Sequence, residues 1–231
     1  MCFSATASFT ATALLIPAGL YACKLAMDID VRYLPVALIP CLFGIQQGFE
    51  GIGWLAIHHN QADIGYLAAL GFLAFSHGLW LVWLPLAMFV LEQRPWARKV
   101  LLVMTLLGTL FGMSLYGPFV LSPGMFAVTV TQGSIDYQTQ LIYDQFFPRA
   151  VSRLFYMLIV LGPLWLSQLT QLRIIGGFIA LALVITDWFY NYAFVSVWCF
   201  FAAILSGYIL YFLASVGYQL NARRFLEDSR W

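Results

Sequence analysis

Long apolar runs separated by short polar connections dominate the chain. Most runs reach about 20 residues, which at roughly 1.5 Å of helical rise per residue crosses a hydrocarbon core of about 30 Å. The pattern predicts an all-α fold, a single integral membrane domain over residues 1–231. Its seven transmembrane helices are expected at about 5–26, 33–57, 64–91, 97–122, 149–167, 172–190 and 192–218.

The boundary between the last two helices depends on one short segment. Tyr190-Asn191-Tyr192 is amphipathic, as expected for a turn at a bilayer interface. Without a break there, residues 172–218 would form a single helix of more than 40 residues. Six helices therefore remain an alternative.

The one long connection, about residues 123–148, carries a strand pattern. Apolar and polar residues alternate over 126–131 and again over 134–137, on either side of Gln132-Gly133. This pattern predicts a small β-hairpin in the loop between helices four and five. The hairpin could be a plain connector or a lid over an outward-facing cavity.

Composition removes two classes of function. With 62% hydrophobic and only 9% charged residues, the chain is too apolar for a water-soluble fold. Its net charge is +1, and no basic stretch is interleaved with exposed aromatic residues. We therefore expect no nucleic-acid partner.

The basic residues predict an orientation. With seven helices, nine of the eleven lysines and arginines fall in the first, third and fifth loops and the C-terminal tail. Only Arg149 and Arg153 fall on the other side. Because basic residues concentrate in cytoplasmic loops, we expect an inner (plasma) membrane protein with its N-terminus outside and its C-terminus in the cytoplasm.

Helix two carries an unusual polar stripe. Glu50 is one of only two acids inside the predicted spans, where a carboxylate costs several kcal/mol unless it is paired, protonated or hydrated. Gln46 and Gln47 precede Glu50, and Trp54 and His58 follow at four and eight residues, so all lie on one stripe. This stripe should face the bundle interior.

The same helix carries Gly44 and Gly48, a pair of small residues four positions apart, followed by Gly51 and Gly53. Small residues at this spacing let two membrane helices approach closely. We expect a tightly packed neighbour on this side of helix two.

Other helices bring further polar and aromatic residues toward the outer half of the membrane, where a cavity could form. Helix three contributes Ser76, His77 and Trp80, and the second intramembrane acid, Asp187, ends helix six. The candidate ligand-binding residues are Gln46, Gln47, Glu50, Trp54, Ser76, His77, Trp80, Arg153, Asp187, Tyr190 and Trp198.

Three interpretations of these residues stay open. They could form a purely structural network in an accessory subunit of a membrane complex, or an outward-facing cavity that binds a small molecule, a lipid or a partner protein. They could also serve a metal-dependent membrane enzyme, with a divalent metal held by Cys2, Glu50, His58 and His77. A compact site of three histidines is not expected, because adjacent His58 and His59 point about 100° apart on a helix. The cavity is favoured.

Three segments carry a resemblance to known sequences: residues 1–9, MCFSATASF; residues 44–51, GIQQGFEG; and residues 194–201, FVSVWCFF. Together they resemble a family of uncharacterised bacterial multi-pass membrane proteins. The resemblance implies the seven-helix architecture but no activity. Microbial rhodopsins, by contrast, hold retinal on a lysine of their last helix, and residues 192–218 contain none, so we expect no retinal.

Overall fold

The computed structural model of the protein describes residues 4–122, 124–189, 201, 203 and 206–228. It is mostly helical, with one two-stranded antiparallel sheet. In chain order the elements are α1 (Ala5–Ile29), a 3₁₀ turn (Val31–Tyr33), α2 (Leu34–Ala37), α3 (Ile39–His58), α4 (Ala62–Leu73), a π-helical segment (Ala74–Leu79), α5 (Trp80–Leu91), α6 (Pro95–Leu121), β1 (Phe126–Thr131), β2 (Ser134–Thr139), α7 (Arg149–Leu166), α8 (Thr170–Phe189) and α9 (Tyr208–Asp228).

Among the described residues, five helices are long and apolar enough to cross a membrane, which indicates a membrane protein. They are α1, the continuous helix Ala62–Leu91, α6, α7 and α8. With 20 residues α3 also has the required length, but Gln46, Gln47 and Glu50 make it less apolar than these five. Its polar side chains are buried inside the bundle rather than facing outward.

The predicted helix limits agree with the structure to within a few residues at most ends, with two corrections. The expected helix at 33–57 is interrupted, because Pro40 has no backbone N–H for an intrahelical bond, and α2 and α3 are separate helices. The last helix does not end at residue 218 but continues to Asp228. Residues 219–228 are mostly polar but include good helix formers, so the helix continues beyond its apolar part. The expected break at 190–192 lies outside the described residues.

The predicted hairpin is confirmed. Strand β1 pairs antiparallel with β2, from Phe126 opposite Thr139 to Thr131 opposite Ser134. Gln132 and Gly133 form the two-residue turn, with φ values of 49° and 78°. Two positive φ angles match the twist of a tight hairpin, and glycine adopts this conformation without steric cost.

Helices α1 and α3 pack closely against each other and run antiparallel. A Cβ atom on Gly44 would lie 2.8 Å from the side chain of Ile16, and one on Gly51 would lie 2.8 Å from the ring of Phe9. The expected close packing is confirmed at Gly44 and Gly51, whereas Gly48 makes only ordinary contact with Thr12 and Gly53 faces Ile135 of the hairpin. Thr12 adds a hydrogen bond across the pair, donating to the carbonyl of Gly44 at 3.0 Å.

The hairpin packs on one end of this bundle, which we call the hairpin end. Tyr66 of α4 stacks on Phe126 with ring centroids 4.9 Å apart, and Phe72 stacks on Tyr137 at 4.7 Å. Arg149 ties the following loop to the hairpin by donating to the carbonyl of Thr139 and to the carboxylate of Asp144. The hairpin is therefore part of the packed structure.

A second glycine pair joins α6 to the preceding helix. A Cβ atom on Gly108 would overlap the carbonyl oxygen of Leu81, and one on Gly112 would lie 3.2 Å from the carbonyl oxygen of Gly78. These two glycines let α6 lie directly against the backbone of the π-helical segment and α5.

We expect Gly108→Ala to destabilise the protein by about 1–3 kcal/mol, because the added methyl group would displace α6 from the backbone of Leu81. The control is Gly177→Ala in α8, an exposed helical glycine where a Cβ atom meets nothing within 4 Å and no proline follows. Its effect should be neutral or stabilising by about 0.5–1 kcal/mol. Melting temperatures of the purified proteins in detergent compare the two, and equal values would contradict the packing argument.

At the end opposite the hairpin, Glu92 connects two interhelical loops. Its buried carboxylate accepts hydrogen bonds from the side chain of Arg94 at 2.8 Å and from the side chain of Gln168 at 2.6 Å. Arg94 also donates to the carbonyl of Leu166 at the end of α7. The α5–α6 and α7–α8 connections are therefore held together by one carboxylate.

The hydrogen bond from Arg94 is the main cause that lowers the pKa of Glu92 to about 2, against the opposing effect of burial. A carboxyl group whose pKa is depressed in the folded state stabilises the fold above its unfolded pKa of about 4.5, and the contribution disappears as the pH falls toward 2. The side chain is only 2% exposed, so the full contribution is roughly 3 kcal/mol.

We expect Glu92→Gln to lower the melting temperature at pH 7 and to reduce the loss of stability between pH 4.5 and pH 2. Asp30→Asn is the matched control, because Asp30 also pairs with an arginine two residues away but is more exposed and joins no second loop in the described structure. Its effect should be smaller. An unchanged acid-unfolding curve for Glu92→Gln would exclude the proposed role of this carboxylate.

Candidate functional site

Four residues of the polar stripe of α3 are buried in the bundle as predicted, whereas the fifth, His58, is exposed at the end of the helix. Gln46, Gln47 and Glu50 are all 0% exposed. They lie within about one helical turn, between the glycines that contact α1 and the face that meets α4 and α5. Burying three such groups is costly unless each finds a hydrogen-bond partner.

Gln46 has a partner in α5. Its Oε1 atom accepts a hydrogen bond of 2.8 Å from the indole N–H of Trp80. The Trp80 ring stacks on Phe43, with centroids 4.0 Å apart. Two of the predicted site residues, Gln46 and Trp80, therefore meet, and their contact fixes α3 against α5.

Gln47 is in a different situation, although it is the next residue. Neither its Oε1 atom nor its Nε2 atom has a hydrogen-bond partner among the described residues. The same holds for the hydroxyl of Ser8 in α1, which is also fully buried. Each unsatisfied buried group costs about 1–3 kcal/mol.

These unsatisfied groups belong to the same helix pair. Ser8 lies one turn before Thr12 on α1, and Thr12 lies beside Gly48 of α3. Gln47 lies between Gly44 and Gly51, both of which contact α1. The α1–α3 seam thus contains three buried polar atoms, Ser8 Oγ and Gln47 Oε1 and Nε2, that have no hydrogen-bond partner among the described residues.

The π-helical segment holds Ser76 and His77, two further predicted site residues. The Ser76 hydroxyl lies 3.0 Å from Nδ1 of His77, and the His77 ring lies edge-on to Phe119. In this wider turn the backbone carbonyl of Ser76 accepts a hydrogen bond of 2.6 Å from the hydroxyl of Tyr156 in α7. Single turns of π-helix are rare and are enriched at functional sites.

Four further candidate residues make contacts away from the π-helical segment. Arg153 and Asp187 make an ion pair of 2.9 Å between α7 and α8. The ring of His58 bonds through Nδ1 to the carbonyl of Trp54, 2.8 Å away on the same helix. Trp54 packs in an apolar cluster beneath the hairpin with Phe72, Phe119 and Ile135 among others.

The predicted metal set is only partly described, since Cys2 lies outside the described residues, as do the candidates Tyr190 and Trp198. Within residues 4–122, 124–189 and the described part of the C-terminal segment, no three histidine, cysteine or acidic side chains lie close enough to hold a metal ion.

The sequence leaves open whether the hairpin covers a cavity, and it does not indicate which residues would line one. A cleft of about 410 Å³ lies between the hairpin and the corner where α3 turns into α4. None of the predicted ligand-binding residues that the structure describes lines it. Its only signal in the sequence is the recurrence of small residues on both helices at the corner, namely Gly53, Ala56, Gly65 and Ala69.

The chain belongs to a family of unknown function (DUF6629), whose model matches residues 1–224. This membership agrees with the resemblance to uncharacterised membrane proteins seen in the sequence. No curated protein and no solved structure matches the chain.

Proposed function

We propose that this protein binds a small polar molecule that enters from the outer side of the membrane and reaches the buried polar residues of α3. The observation that carries the proposal is Gln47, a fully buried carboxamide with no hydrogen-bond partner among the described residues for either polar atom. The unsatisfied hydroxyl of Ser8 in the same seam supports it.

The chemistry of these groups defines the ligand. A carboxamide offers one acceptor oxygen and two donor hydrogens, and a hydroxyl can donate and accept. A neutral molecule with amide or hydroxyl groups would satisfy both side chains without bringing a net charge into the membrane. Gln47 lies eleven residues before the end of α3 at His58, roughly 16 Å from the hairpin end.

A purely structural role accounts for Gln46 but not for Gln47. Gln46 bonds to Trp80 and so links two helices. Gln47 links nothing among the described residues and costs free energy by its burial. Buried polar groups that lower stability and make no structural contact are typical of binding sites, because stability and function compete there.

Substituting the two neighbouring glutamines by leucine, a side chain of similar size, tests this difference. We expect Gln47→Leu to raise the melting temperature of the ligand-free protein, because it removes an unsatisfied amide worth about 1–3 kcal/mol. Gln46→Leu should lower the melting temperature by a comparable free energy, because the Trp80 indole loses its acceptor. Destabilisation by both substitutions would show that Gln47 is structural.

Binding itself is tested with a thermal-shift screen of neutral amides, amino acids, polyols and sugars on the purified protein. A true ligand should raise the melting temperature of the wild-type protein but have no effect on Gln47→Leu or Ser8→Ala. A compound that stabilises all three proteins equally binds elsewhere and would not support the site.

We further propose seven spans in the inner (plasma) membrane, with the N-terminus and the hairpin outside and the C-terminus in the cytoplasm. The distribution of basic residues supports this orientation. Lys24, Arg94, Arg98, Lys99 and Arg173 lie at or near the helix ends opposite the hairpin, whereas Arg149 and Arg153 lie at the hairpin end.

Single cysteines in a variant without the native cysteines test the orientation. We expect Thr129→Cys, exposed on the hairpin, to react in intact cells with a membrane-impermeant maleimide. Gln93→Cys, exposed between α5 and α6, should react only after the membrane is opened. The reverse labelling pattern would overturn the proposed orientation and the outer entrance.

A further inference from the structure

The cleft between the hairpin and the α3–α4 corner has two contrasting walls. The helical wall consists largely of small residues, including Gly53, Ala56, Gly65 and Ala69. The hairpin wall carries large side chains, among them Phe126, Ile135 and Tyr137. The two walls meet where a Cβ atom on Gly53 would lie 3.7 Å from Ile135, and the space lies beside this contact.

Two aromatic contacts hold the hairpin at its distance from α4 and so keep the cleft open. The Tyr66–Phe126 and Phe72–Tyr137 stacks, nearly parallel at 12° and 10°, fix its distance from α4. The volume of about 410 Å³ falls in the range of small-molecule sites, roughly 300–1,000 Å³. The cleft is thus a preformed space of ligand size.

The lining defines the chemistry of an occupant. None of the thirteen described residues that line the cleft carries a charge. The polar side chains at its rim include the exposed carboxamides of Asn60 and Gln61. Asn60 is held in the left-handed conformation, with φ of 54°, at the end of α3. A charged ligand would find no counter-charge in the lining, whereas a neutral group could bond to these carboxamides.

We propose that this cleft binds a flat, uncharged, ring-bearing small molecule, with its ring between the two walls and its polar edge toward Asn60 and Gln61. The site is separate from the polar seam. Gly53 and Gln47 are six residues apart, which places them about 120° apart around α3, and they face different neighbours. The inference does not depend on the proposed function.

A pair of probes of similar shape tests the proposal on the full chain in nanodiscs. We expect 2-naphthol, which is neutral at pH 7, to bind saturably above the level of empty nanodiscs in equilibrium dialysis. The carboxylate 2-naphthoate should bind at least tenfold more weakly. Gly65→Leu should reduce binding of 2-naphthol at least tenfold, because its side chain would fill the cleft while its Cβ meets only Ala56 at 3.6 Å.

Three controls make the result specific. Gly177→Leu, at an exposed helical glycine with nothing within 4 Å of a Cβ atom, should bind 2-naphthol like the wild-type protein. Val128→Trp fills the cleft from the hairpin wall and serves if Gly65→Leu does not fold. Gln47→Leu should leave binding unchanged, so that failure of this site is distinguishable from failure of the polar seam.

Several outcomes would overturn the proposal. Equal binding of 2-naphthol by wild type and Gly65→Leu would place the probe elsewhere, and equal binding of naphthoate would contradict the uncharged ligand. Absence of saturable binding would also overturn it. If, in addition, Gly65→Leu changed the oligomeric state in size-exclusion chromatography, the occupant would be a second copy of the chain.

Discussion

The structure depends on one constraint, which is that α3 cannot expose its polar residues to lipid. A carboxamide or carboxylate in hydrocarbon costs several kcal/mol, so Gln46, Gln47 and Glu50 must face other helices. That requirement places α3 in the interior, between α1 and α4. Its glycines then become necessary, because α1 can shield the stripe only if the two backbones approach closely at Gly44 and Gly51.

Much of the fold follows from the sequence because its signals are local. Apolar length predicts the helices, and alternation around Gln132-Gly133 predicts the hairpin. The π-helical segment has no such signal, since Ala74–Leu79 reads as ordinary membrane helix. Its geometry depends on partners distant in sequence, the glycines of α6 and Tyr156 of α7, so it could not be predicted locally. The extension of α9 was missed for another reason, because apolar length does not limit a helix outside the membrane.

The candidate site could be predicted as a set of residues but not as a set of contacts. Gln46 and Gln47 are the same residue type at adjacent positions, and only the rotation of about 100° between them decides that one meets Trp80 and the other the α1 seam. Arg153 and Asp187 were both expected, whereas their pairing needed the packing of α7 on α8. The lining of the cleft could not be predicted, because it comes from two segments, near residues 53–69 and 126–137, that meet only in the folded chain.

Around α3, tightly packed residues therefore lie next to Gln47, a buried amide without a hydrogen-bond partner among the described residues. A helix could rotate to relieve the strain of a buried, unpaired amide, but rotation of α3 would break the Gln46–Trp80 bond and drive Gly44 and Gly51 out of contact with α1. These contacts keep the Gln47 side chain buried, although its burial without a hydrogen-bond partner costs free energy. Pre-organisation of this kind lowers the cost of binding, because a ligand meets groups that are already desolvated and fixed. The contacts that hold the bundle together would thus also pre-organise the seam for the polar ligand that we propose.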